Sequence, residues 1–259
     1  MFYKSSLTAA VLITCLSPDV AFSQTSDVTT SSRSEAQAAG SEQGTSQKFL
    51  LHPAGYLANV SPVQLQDLMQ DNFPGSSRQS KFLNSGGVFV DADYLIDRHW
   101  SIGARVDYFQ SQTETGAGQG FYNYNNRTFF NGQTSYQLSS LTPYLTASYR
   151  QEIFSLFTLG VKMGAGLPIY DHVVLTSNLN SRQEQVSTTY SAHPFSAFGT
   201  LFGSIALTRR LALALEFGYK QLKANEMAAN GEQLAKPDGS VIAVDSSSAF
   251  GAVGFNVTL

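Results

Sequence analysis

Phe157-Thr158-Leu159-Gly160-Val161-Lys162-Met163-Gly164-Ala165-Gly166-Leu167 sorts its side chains into two sets. Odd positions carry Phe157, Leu159, Val161, Met163, Ala165 and Leu167. Even positions carry Thr158, Gly160, Lys162, Gly164 and Gly166. Successive side chains of a strand point to opposite faces, so this reads as a strand with one bulky apolar face and one small face. The pattern recurs. Leu211, Leu213, Leu215, Phe217 and Tyr219 oppose Ala212, Ala214, Glu216, Gly218 and Lys220. Trp100, Ile102, Ala104, Val106 and Tyr108 oppose Ser101, Gly103, Arg105, Asp107 and Phe109. Val88, Val90, Ala92, Tyr94 and Ile96 oppose Phe89, Asp91, Asp93 and Leu95.

The apolar faces run for about ten residues, the length of a tilted strand crossing a bilayer. A barrel in water would need many Lys and Glu on its outer face. Only 14% of this chain is charged, against about 25% in ordinary soluble domains. An inverted arrangement fits: bulky apolar side chains toward lipid, small and charged ones toward a narrow lumen. No segment has the ~18 uninterrupted apolar residues of a membrane-spanning helix.

Short polar links at Asp97-Arg98-His99, Arg150-Gln151-Glu152 and Thr208-Arg209-Arg210 alternate with long links rich in Ser, Asn, Gln, Gly and Thr. That alternation is the arrangement of turns and surface loops in outer-membrane barrels. Strands are expected near 86–96, 100–111, 136–149, 153–167, 194–207, 211–222 and 248–259. An even count needs one more, and Phe49 to Val60 supplies it, although Pro53 cannot donate to a ladder. The expected fold is an all-β, eight-stranded antiparallel up-and-down transmembrane barrel.

Between Phe195 and Leu207 both faces hold Phe, Leu and Ala, so the sides stay unassigned. Phe121 to Phe130 followed by Asn131-Gly132 predicts a β-hairpin with a type I′ turn, rising above the membrane. Ser61-Pro62, with Val63, Leu65, Leu68 and Met69, predicts the start of a short helix. Trp100, Tyr149 and Phe154 flank the short turns and Tyr108 and Tyr219 the long loops, as interfacial aromatics do.

Residues 1–23 read as a signal peptide: Lys4, an apolar run from Leu7 to Leu16, and Ala21-Phe22-Ser23 before Gln24. The only cysteine, Cys15, lies in that run; Thr14 before it argues against a lipoprotein site. Residues 24–47 are polar and aperiodic, the composition of a disordered periplasmic tail. Residues 48–259 are the barrel.

The expected lumen-lining charges are Asp91, Asp93, Arg105, Asp107, Lys162, Glu216 and Lys220. Charges inside a membrane barrel must be paired or wet, so two readings follow: an ion-pair network that fills the lumen, or a polar path for solutes. His52, His99, His172 and His193 show no paired-ligand spacing, so no metal or cofactor is expected. Asp171, His172 and Ser196 form a conceivable catalytic trio, but Ser is common here and no enzyme is expected. Asn126-Arg127-Thr128 and Asn256-Val257-Thr258 match a glycosylation pattern by chance. Phe121, Tyr122, Tyr124, Phe129 and Phe130 form an aromatic cluster, read as a hairpin or rim girdle or as a patch for a partner. The net charge of −3 gives no reason to expect nucleic acid.

With its export signal, segments such as Leu141-Thr142-Pro143-Tyr144-Leu145-Thr146-Ala147-Ser148-Tyr149, and a final strand alternating Val253, Phe255, Val257 and Leu259, the chain resembles the small bacterial outer-membrane barrels of the OmpA, OmpX and OmpW type. The resemblance implies export through the inner membrane and residence in the outer membrane among its lipid and lipopolysaccharide. It also implies handling by the barrel-assembly machinery, whose signal would be Phe255, Val257 and Leu259; that family usually ends in Phe, and this chain ends in Leu259. It fixes no single function. A structural or surface-interaction role, with the long loops meeting a partner, is expected first. A narrow channel for small or apolar solutes, as the OmpW-type resemblance implies, and a lipid-modifying enzyme are the alternatives.

Overall fold

A computed structural model describes residues 49–60, 64–65, 82–113, 116–123, 128–154, 156–179, 184–236 and 239–259. The expected signal peptide, Cys15 and the tail lie outside the described residues, as does most of the helix expected after Ser61; Gln64 and Leu65 are helical.

The strands, in chain order, are β1 (Phe49–Asn59), β2 (Phe82–Leu95), β3 (Trp100–Thr113), β4 (Gly116–Asn123), β5 (Thr128–Phe154), β6 (Phe157–Gly166), β7 (Tyr170–Leu179), β8 (Glu184–Ala192), β9 (Ser196–Ala206), β10 (Leu211–Ala224), β11 (Ala228–Ala229), β12 (Glu232–Gln233), β13 (Val244–Asp245) and β14 (Ser248–Thr258). Eight of them close on themselves. The circuit runs β1, β2, β3, β5, β6, β9, β10, β14 and back to β1, antiparallel at every step. Closure removes both sheet edges, so each strand of the wall has a paired neighbour on both sides.

Pro53 does belong to the wall. It pairs with Val90 on one side, while on the other the ladder passes from Leu51–Val257 to Ala54–Gly254 without a change of register. The gap falls where proline has no N–H to give.

The remaining strands build upward from the barrel rather than into it. β5 has 27 residues. Its lower half pairs with β3 and β6, and its upper half with β4 and β7. β8 pairs with β7, and β11 touches β8. A sheet ordered β4, β5, β7, β8 therefore continues one side of the wall beyond its rim. The expected hairpin is present, but its turn is not at Asn131-Gly132. Phe121 opposes Phe130 and Asn123 opposes Thr128, and Asn131 and Gly132 lie inside β5. Pairing to β4 on one side and β7 on the other keeps β5 extended there.

Two of the expected short links, Asp97-Arg98-His99 and Thr208-Arg209-Arg210, fold as tight turns, whereas Arg150, Gln151 and Glu152 stay in β5, paired with Gly160, Leu159 and Thr158 of β6. Asp97 Oδ1 accepts from the N–H groups of His99 (2.6 Å) and Trp100 (2.7 Å), which holds this exposed carboxyl below its usual range. Thr208 Oγ1 accepts from Arg210 and Leu211 N–H groups.

The wall is inverted. Each of the eight strands sends apolar side chains outward: Leu57, Val90, Ile102, Leu145, Met163, Leu201, Phe217 and Val253 are all at least half exposed. Water-soluble proteins rarely expose contiguous apolar surface beyond a few hundred Å². A belt that encircles every strand is stable against lipid, so this is a transmembrane barrel. Trp100 and Phe154 stand outward beside the short turns, and Tyr219 near the long-loop end.

Candidate functional site

Alternation turns the complementary face of each strand inward. Asp91, Asp93, Arg105, Asp107, Lys162, Glu216 and Lys220 are all buried in the lumen. Asp91 and Arg105 are direct cross-strand neighbours on β2 and β3, and Arg105 grips Asp91 with two N–H groups, Nε at 2.6 Å and Nη2 at 2.8 Å. Nη2 also reaches across the lumen to Glu216 Oε2 at 2.9 Å. Nη1 stands 2.9 Å from Glu216 Oε1, close enough for an ion pair but poorly aimed for a hydrogen bond. Lys162 Nζ donates to Asp91 (2.8 Å) and Asp93 (2.7 Å). Thr146 Oγ1 adds a bond to Asp93 at 3.3 Å. A second, smaller cluster lies beside it: Lys220 Nζ donates to Asp107 and to Tyr56 Oη, both at 3.0 Å, and Tyr56 donates to Asp107 at 2.7 Å.

Aromatic rings seal these groups from each other. The Arg105 guanidinium lies 3.7 Å from the Phe89 ring centre and 4.3 Å from that of Phe198. Lys220 Nζ lies 4.4 Å from the Phe109 ring centre. A desolvated cation on an aromatic face gains on the order of 2 kcal/mol. The rings find room because β6 is thin on its inner face. A Cβ on Gly160 would meet Phe202 at 2.4 Å, and one on Gly164 would meet Phe198 at 2.4 Å. The β9 sides are thereby assigned: Ser196, Phe198, Thr200, Phe202 and Ser204 face in, and Leu201 and Ile205 face out.

Phe89 lies on the face of Asp91 and Asp93, as alternation requires, but His52, Tyr56, Phe198 and Phe202 are lumen residues outside the expected set. His52 Nδ1 sits 3.3 Å from Asp91 and 3.9 Å from Glu216. On β1 only the spacing of His52, Ala54 and Tyr56 could have announced them. His52, Asp91 and Glu216 bring ligand-type atoms within 4.8 Å of one another. However, Arg105 and Lys162 already neutralise those carboxylates, and a metal ion there would sit against two cations. His52 lines a cavity of about 50 Å³ at the short-turn end, with Arg150 and Ser148; among the described residues its Nε2 has no hydrogen-bond partner. The cavity holds a few waters at most.

Beyond the charges the lumen is filled by hydrocarbon. Phe109, Tyr136, Leu138 and Val173 from the strands meet Met227, Leu234, Ile242 and Val244 from the segment between β10 and β14, all buried. Leu65 joins them. Backbone bonds Leu234 N–H to Met227 O (2.7 Å) and Ile242 N–H to Leu234 O (2.9 Å) hold that segment in place.

The conceivable trio does not assemble. Asp171 and His172 are successive residues of β7 and face opposite ways. His172 stacks on Tyr170, while Ser196 Oγ bonds Tyr144 Oη (2.7 Å) and Gln221 O (2.9 Å). Asp171 is buried, and burial pushes its carboxyl up to about 7, against the pull of Lys220 and His193.

No protein-family model matches the chain, and no curated protein matches it in sequence. Solved structures do. The outer membrane protein OprG from Pseudomonas aeruginosa aligns at 13% identity over 82% of this chain and 96% of its own, with a TM-score of 0.46. Neisserial surface protein A aligns at 13% identity over 82% and 97%, TM-score 0.43. Ail, the attachment invasion locus protein of Yersinia pestis, solved with the heparin analogue sucrose octasulfate, aligns at 10% identity over 82% and 98%, TM-score 0.39. These are distant likenesses; the barrel assignment rests on the closed strand circuit and the inverted faces.

Proposed function

We propose that the protein is a bacterial outer-membrane barrel that acts as a closed post, holding a β-sheet and long loops out from the membrane to meet a surface partner, with no catalysis of its own. The observation that carries this reading is the double filling of the lumen. Seven buried charges pair across its middle, and an apolar cluster fills its long-loop end. A solute would have to displace both. The sheet β4, β5, β7, β8 gives the long-loop end a raised, ordered surface, which a channel does not need. The apolar outer belt supports residence in a membrane, and a barrel rather than a helix bundle supports the outer one. Export on residues 1–23 and assembly through Phe255, Val257 and Leu259 belong to the same reading.

Planar-bilayer recording of the refolded protein tests it. The expected trace is silent. Steady unitary steps would overturn the reading in favour of a narrow channel. Fractionation of expressing cells should place the protein with outer-membrane markers, starting at Gln24 by intact mass.

A further inference from the structure

The outward face of β10 changes character along its length. Leu215, Phe217 and Tyr219 are exposed and apolar or amphipathic; Gln221 and Lys223 follow on the same face. The switch marks the edge of the lipid-facing belt. Just past it, the outer wall opens into a cleft of about 730 Å³ between the top of β10, the β8–β9 junction and the β11–β12 hairpin. That volume lies within the usual range of ligand sites, about 300–1,000 Å³. Its membrane edge is Phe195, which is 64% exposed. Its polar wall includes His193, Gln221, Lys223, Glu226 and Gln233.

The charges of the cleft are not equally engaged. Glu226 accepts from Gln233 Nε2 at 2.8 Å. Among the described residues no carboxylate comes within ion-pair distance of Lys223. Its cross-strand neighbour Asp245 instead accepts from the Ser247 N–H. A free ammonium beside amide side chains, bordered on one edge by an exposed aromatic and the apolar belt, matches an amphiphile with an anionic, hydroxyl-rich head. Lys binds phosphate as a point charge, and amide groups both donate to and accept from hydroxyls.

We propose that this cleft seats the phosphorylated sugar headgroup of an outer-leaflet lipid, whose acyl chains lie along Phe195, Phe217 and Tyr219. Lys223 meets the phosphate; Gln221 and Gln233 meet sugar hydroxyls. The proposal rests on the outer-membrane placement above, and the test separates the two. The full barrel is refolded into nanodiscs of phosphatidylethanolamine doped with a bis-phosphorylated glucosamine lipid. Insertion is read first, by heat-modifiable gel mobility. Lipid retained on the barrel after gentle detergent extraction is then counted by native mass spectrometry. Failure to insert would overturn the outer-membrane placement itself. Insertion with no preference for the phosphorylated glycolipid over phosphatidylethanolamine would overturn the site alone.

The expected result is selective retention, weakened about tenfold by Lys223→Glu, since each basic side chain near an anionic lipid surface is worth roughly a factor of five and reversal doubles the exponent in part. Arg209→Glu, at the opposite end of the barrel, should retain lipid like the wild type. Equal retention by Lys223→Glu and wild type would overturn the role of Lys223. Replacing the lipid with its deacylated sugar phosphate should lower occupancy; equal occupancy would overturn the lipid assignment.

Discussion

The middle of the lumen is filled by charge and its long-loop end by hydrocarbon, and the two fillings are built differently. The charged layer is made entirely by barrel strands. Its residues sit where alternation along β2, β3, β6 and β10 must put them, and their partners come from facing strands: Arg105 bonds Asp91 next door and Glu216 across the lumen. The apolar cap draws Met227, Leu234, Ile242 and Val244 from the segment between β10 and β14, held by β13 and a few backbone bonds. A narrow lumen constrains the first. Four carboxylates and three basic side chains leave little choice of geometry, because a buried charge without a partner is worth less than no charge at all. The cap only has to exclude water, and many apolar combinations would do that.

The largest expected effect therefore comes from breaking the charged layer. Arg105→Met strands Glu216 and leaves Asp91 to Lys162 and His52 alone, and urea unfolding from lipid vesicles should show a loss of about 3–5 kcal/mol. Bilayer recordings of the same variant should stay silent, because the cap is untouched. A variant that conducts while unfolding normally would show that the charges, not the cap, close the lumen.

Met227→Ala makes the converse test. Met227 is 1% exposed, so truncation removes packed volume, with an expected cost of about 2–3 kcal/mol. That is the lower part of the usual range, since the segment carrying it can partly collapse. A loss equal to that of Arg105→Met would mean that the cap is as tightly specified as the strands.

This contrast also explains what could be read in the sequence. All seven charges and the strands bearing them follow from a period of two, so they were legible. His52 and Tyr56 were hidden because Pro53 between them weakens the strand signal of β1. Phe198 and Phe202 were hidden because both faces of β9 are apolar; only the glycines they pack against, Gly160 and Gly164 on β6, distinguish the sides, and that pairing is set by the fold. The two Asn-Gly pairs make the same point. Asn230 and Gly231 have φ of 52° and 86° and turn the β11–β12 hairpin, as a type I′ turn requires. Asn131-Gly132 has the same chemistry but runs straight through β5, because β4 and β7 pair with Gly132 from both sides. Local turn preference gives way where two ladders compete for the same backbone. The cap residues between β10 and β14 carry no periodic signal, so their burial came from the structure alone.

Asp171 gives the comparison a pH axis. Its carboxyl, on β7 beyond the eight-strand circuit, is buried and raised to about 7 from an ordinary 3.8. Between those values the folded protein holds a proton that the unfolded chain has released. Stability should therefore be full below the ordinary value and fall as pH rises toward 7. From pH 5 to pH 8 the drop should be on the order of 2 kcal/mol. Asp171→Asn should flatten the slope. An equally steep slope in that variant would move the pH dependence into the charged layer.

Tyr56 spans the boundary, and Tyr56→Phe has the smallest expected effect and the sharpest meaning. Its ring packs in the apolar cluster against Phe89 and Phe250, with centres 6.0 Å and 5.3 Å away. Its hydroxyl donates to Asp107 and accepts from Lys220. Phenylalanine keeps the first set of contacts and deletes the second. Lys220 still holds Asp107 at 3.0 Å, so no charge is stranded, and losing two hydrogen bonds to groups that keep each other should cost little, about 1.5 kcal/mol. Tyr56→Leu deletes both sets and should cost clearly more. If Tyr56→Phe instead costs as much as Arg105→Met, the hydroxyl is an integral member of the charge network, and the two fillings form one cooperative plug joined at this residue.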